Sequence, residues 1–86
     1  MNGDLQGTPS GAEIDEESRR VRKLRIVVHL AMNLIAQGQL KIEEAYEMVA
    51  AARRVAEQLF PDKGDTFDLI YRPRFQRLIN EVYRLQ

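Results

Sequence analysis

The sequence contains no cysteine. That absence excludes a disulfide framework, a thiolate metal site and a cysteine nucleophile. It contains a single histidine, His29, whereas a zinc or di-iron site wants several histidines or a Glu-x-x-His pair. His29 falls on the polar side of a helix one turn before Asn33 and reads as an exposed or boundary residue. An excess of one charge is missing as well. Thirteen Lys and Arg balance thirteen Asp and Glu, so nothing pulls the whole chain toward nucleic acid or an anionic membrane. No apolar run approaches the roughly 18 residues of a spanning helix. The opening Met1-Asn2-Gly3-Asp4-Leu5-Gln6 lacks the basic start and apolar stretch of a signal peptide. The expected setting is cytoplasmic, away from membranes.

What is present is the composition of a folded domain: 86 residues, 44% hydrophobic and 30% charged. A disordered chain has less apolar content and more uncompensated charge. A chain this short buries roughly 60–65% of its unfolded surface, which allows one modest core. Residues 1–12 are expected to be a disordered tail, with Gly3, Gly7, Pro9 and Gly11 among polar residues and no periodic apolar face. Residues 13–86 are expected to form a single helical domain. Ser10 and Glu13 have capping-box spacing, so the first helix starts as early as Gly11 or a turn later near Asp15.

That helix is expected to run to about Gln37. Val21, Leu24, Val28, Ala31 and Ile35 form its inner stripe, and Val27, Leu30, Met32 and Leu34 widen it beyond the roughly 100° that a helix at the edge of a bundle needs. Gly38 is the expected left-handed C′ residue. A second helix follows from Ile42 to Phe60, with Ile42, Ala45, Val49, Ala52, Ala56 and Leu59 on one seam. Glu43, Glu44 and Glu47 sit in its first turns, where the helix dipole favours anions. Pro61 stops it. So short a connection between long helices implies an antiparallel hairpin. Asp65 reads as an N-cap with Asp68 at N3, opening a short segment from Thr66 to Tyr71. Pro73 predicts a break at Arg72 and a helix to about Arg84, with Phe75, Leu78, Ile79, Val82 and Leu85 inward. The fold class is all-α: a helical hairpin plus a shorter, Pro-interrupted third helix, a three-helix bundle open to dimerisation.

Chemistry-bearing patterns are few. The run Arg19-Arg20-Val21-Arg22-Lys23-Leu24-Arg25 concentrates five cations, but Glu13, Asp15, Glu16 and Glu17 precede it, and Asp15–Arg19 and Glu16–Arg20 have the i,i+4 spacing of self-paired surface residues. A second basic set comprises Arg72, Arg74, Arg77 and Arg84, with Arg53 and Arg54 mid-chain. Arginine forks suit phosphate and carboxylate alike. A helix-turn-helix centred on Gly38 fails, because its packing positions would be Asn33, Gln37, Gln39, Glu44 and Glu47, all polar. Asp62, Asp65 and Asp68 lack the alternating ligand spacing of a calcium loop. No nucleophile–base pair, phosphate loop or cofactor motif is legible. The reading is a non-catalytic interaction module without a cofactor or small-molecule substrate. It is expected to be a homodimer, with Val27, Leu30 and Leu34 near the contact. The alternative is a nucleic-acid-associated protein binding phosphates through Arg19, Arg20, Arg22, Arg72, Arg74 and Arg77.

Overall fold

A computed structural model describes residues 11–84, with side chains from Ile14 to Arg84. Of the expected tail over residues 1–12, residues 1–10 lie outside the described residues, as do the Ser10–Glu13 capping box and the inward Leu85, whereas Gly11 and Ala12 belong to the first helix. The described residues are all helical in architecture: α1 (Gly11–Ala36), α2 (Ile42–Leu59), α3 (Gly64–Ile70) and α4 (Arg72–Tyr83).

The α1–α2 turn is built as its glycine requires. Gly38 has φ 72°, a backbone conformation that costs an L side chain strain and glycine almost none. The Gln37 N–H still donates to the Asn33 carbonyl at 3.1 Å, and the Gly38 N–H to Ile35 at 3.0 Å. Two of the orphan carbonyls at the end of α1 are thereby satisfied. Lys41 is extended, and its N–H donates to Glu44 Oε1 at 2.8 Å. Glu44 therefore closes the N-terminus of α2 by a direct hydrogen bond besides complementing its dipole.

The expected short segment and the helix that follows its Pro73 break are α3 and α4. The break falls at Tyr71, one residue before the expected Arg72. Hydrogen bonding continues through it: the Tyr71 N–H reaches the Phe67 carbonyl at 2.8 Å and the Phe75 N–H the Tyr71 carbonyl at 2.9 Å. Pro73 then lies in the first turn of α4, where a missing N–H has no intrahelical partner to lose. The expected N-cap at Asp65 is also corrected. Lys63 occupies that position, and Asp65 sits inside the first turn of α3. Asp68 turns instead to two arginines, whose charged forks offer its carboxylate more than a helix N–H does.

Packing joins α1, α2 and α4 into a bundle, while α3 rests on α2 and α4 without closely approaching α1. Cross-links set the direction of α4 against α2. Tyr83 donates its hydroxyl to the Leu40 carbonyl just before α2 at one end, and Gln76 Nε2 donates to the Tyr46 hydroxyl at 3.0 Å further along, while Arg53 of α2 meets Asp68 of α3. The core is wholly apolar: Val28, Ala31 and Ile35 from α1; Ala45, Val49, Ala52 and Ala56 from α2; Phe67 from α3; Phe75 and Ile79 from α4. Three small alanines on the α2 seam let the neighbouring helices approach closely. One expected core residue is missing. Val21 remains 39% exposed, because α3 does not approach α1 and leaves that turn open beside α2. At 1.5 Å per residue α1 is about 39 Å long and α2 about 27 Å.

Candidate functional site

Two features stand out on the surface: uncovered apolar side chains along α1, and a cluster of ion pairs around Asp68. No described helix is long and apolar enough to cross a membrane.

The first patch lies on the side of α1 away from the core. Ile26 is 59% exposed and Leu30 58%. Of the three interface residues expected from sequence, only Leu30 is open. Val27 and Leu34 are half-buried, and Val27 packs against the core. Ile26 sits one turn before Leu30 and belongs to the same face by its i,i+4 spacing.

The second patch lies at the other end of α1, on its core-facing side. Every described residue from Ile14 to Lys23 is exposed. Ile14, Val21 and Leu24 fall on one helical face by their spacing. Val21 and Leu24 form one wall of a groove of about 350 Å³, and Ile70 and Tyr71 contribute to the other. Ala56, Phe60 and Phe67 line it too, with Glu17 and Lys63 as its charged members. The groove exists because α3 turns away from α1 instead of closing on it. Sequence reasoning placed Val21 in the core and did not place Phe67 at all. Phe67, Tyr71 and Phe75 recur every four residues, and the Phe67 ring lies 5.4 Å from that of Tyr71 and 6.4 Å from that of Phe75. That spacing, running across the Pro73 break, was the available signal.

The ion-pair cluster spans three helices. Arg53 Nε donates to Asp68 Oδ1 at 2.8 Å and its Nη2 to Oδ2 at 3.0 Å, a two-pronged pair. Arg72 Nε adds a third bond to Oδ1 at 3.2 Å, and Arg53 also meets Glu57 at 3.0 Å. The Arg53 hydrogen bond, followed by that from Arg72, holds the Asp68 carboxyl below its ordinary range despite a partial burial that opposes this. The Arg53 guanidinium is correspondingly held more firmly protonated, chiefly by Asp68. The arrangement ties α2, α3 and α4 together.

The arginines of the alternative reading do not form one surface. Arg20 pairs with Glu16, as their spacing predicts, whereas Asp15–Arg19 is not among the ion pairs of the described residues. Arg72 is drawn to Asp68. Arg19 and Arg22 are exposed on the first half of α1. Arg74 lies over the Tyr71 ring at 5.9 Å, and with Arg77 it lines a shallow groove that also holds Asn33 and Glu81. His29 is exposed. Comparison with family models, with curated proteins and with solved structures found no match to this chain.

Proposed function

We propose that this protein is a small, non-catalytic interaction module that works as a homodimer. Its folding unit is a hairpin of α1 and α2 with α3 and α4 laid against it, and its contacts are packed helical faces. The observation that carries this reading is α1 itself. Its inner stripe is only partly covered, and Ile26 and Leu30 remain more than half exposed on the opposite side. A helix with apolar residues on both sides is stable in water when something covers it. A second copy is the simplest cover, since two-fold homodimers are the commonest assembly and a neutral chain does not repel itself over distance. Light scattering over a dilution series tests it. A particle of twice 10.0 kDa at micromolar concentration is expected. A well-folded particle of one chain at every concentration overturns it.

A second reading, phosphate binding, is favoured by one observation: Arg74 and Arg77 share a groove with the amide of Asn33. A salt titration of binding to a random duplex tests it, because phosphate contacts give a steep negative dependence on salt. Pairing of Arg20 and Arg72 within the chain makes it the weaker of the two.

A further inference from the structure

We infer that the groove between α1 and α3 receives the first half of α1 from a second copy, the two helices lying antiparallel about a two-fold axis near Ser18. The inference rests on the self-association proposed above and assigns it a surface. Three observations lead to it.

The first is the overhang. From Ile14 to Lys23 every described residue of α1 is exposed, yet its inner apolar face continues there through Ile14 and Val21. Ile14 lies beyond the reach of α2, and Val21 is left open on the side where α3 fails to approach α1, so the seam is unfinished. The second is the groove, which opens beside that face and is lined by Val21, Leu24, Phe60, Phe67, Ile70 and Tyr71. At about 350 Å³ it holds side chains rather than a whole helix. The partner's Ile14 and its neighbours on the same face are of the right kind.

The third observation selects the occupant. Charge along this half of α1 is segregated: Asp15, Glu16 and Glu17 precede Ser18, and Arg19, Arg20, Arg22, Lys23 and Arg25 follow it. A parallel pair would set like charges side by side. An antiparallel pair about Ser18 sets the acidic stretch of each copy beside the basic stretch of the other. The segment is therefore complementary to itself in one orientation only. The outer face around Leu30 has no such pattern, since Ile26, Leu30 and Asn33 are uncharged.

The chain has no native cysteine, so single cysteines carry spin labels cleanly. Ser18→Cys and Gln37→Cys, labelled separately, give inter-copy distances by pulsed electron resonance. An axis near Ser18 brings the Ser18 labels within about 20 Å and leaves the Gln37 labels about 50–60 Å apart, at 1.5 Å per residue along each helix. An axis at Leu30 reverses the order, to about 36 Å and about 20 Å. Val21→Glu is expected to raise the dissociation constant at least tenfold, and Leu30→Glu to leave it within about twofold. Val21 is already partly exposed, so its variant keeps the fold. A Gln37 distance equal to or shorter than the Ser18 distance overturns the assignment, as does a dimer lost in Leu30→Glu and kept in Val21→Glu. Both leave self-association standing. A monomer at all concentrations overturns the assignment and the self-association together.

Discussion

Asp68 is the residue on which most of the polar structure converges, and its chemistry gives a pH dependence with a definite sign. Its carboxyl is held below the ordinary range by Arg53 first and Arg72 second. A group whose pKa is lowered on folding stabilises the fold above its unfolded pKa, and that contribution is lost as pH falls through the folded one. Asp68→Asn is therefore expected to melt lower than the parent at neutral pH. The gap should close as pH drops below the usual carboxylate range, and thermal melts followed by circular dichroism across that range check it. Gly38 gives a second test. A Cβ placed there would meet Val82 Cγ1 at 3.7 Å, an ordinary contact, so space is not the obstacle. The backbone is: at φ 72° an L residue costs about 1–2 kcal/mol. Gly38→Ala is expected to lose about 1 kcal/mol in urea denaturation with an unchanged slope. This glycine was legible in the sequence because its role is local. The Arg53–Asp68 pair was not, since its partners lie 15 positions apart and each has nearer residues to engage.

Among the elements, α3 is the one whose place the sequence concealed. Seven residues are too few for a helix to persist by its own hydrogen bonds, so its stability comes from what it packs against. Phe67 is its buried residue, set against Tyr71 and Phe75, while Leu69 two positions on is 79% exposed. Phe67→Ala is expected to cost about 3–5 kcal/mol and Leu69→Ala less than about 0.5 kcal/mol. Paired denaturation curves check the contrast. If the two variants behave alike, α3 is not held by Phe67. The long helices were legible because their period repeats over many turns and the glycine and prolines mark their ends. The short segment and the break before Pro73 were visible too, although the division falls at Tyr71, one residue earlier than expected. Tyr71 keeps right-handed helical geometry, so the division depends on how the elements turn about it and not on a residue that forbids helix. The groove was invisible for a related reason. The inner stripe of α1 reads as continuous from Val21 to Ile35, and nothing in that pattern tells that α3 turns away from it.

For the whole molecule, zero net charge conceals a dipolar arrangement, acidic before Ser18 and basic after it along α1. This separates two ways for copies to meet. Around Leu30 the contact would be apolar and uncharged, and added salt holds or tightens such contacts by favouring burial. About Ser18 the apolar seam is flanked by exposed opposite charges, each pair contributing up to about 1 kcal/mol at low salt. Their range shrinks from about 10 Å at 0.1 M to about 3 Å at 1 M salt. Several such pairs weakened together amount to a change of about tenfold, partly offset by the strengthened apolar contact. The dissociation constant is therefore expected to rise severalfold between low and high sodium chloride, measured by sedimentation equilibrium. The helical signal of the diluted protein should stay constant, since the core of each copy contains no buried charge among its described residues. A dissociation constant that falls with salt would place the contact on the outer face of α1. In that case the segregated charges of its first half would be a solvated surface, self-paired as Glu16 and Arg20 already are.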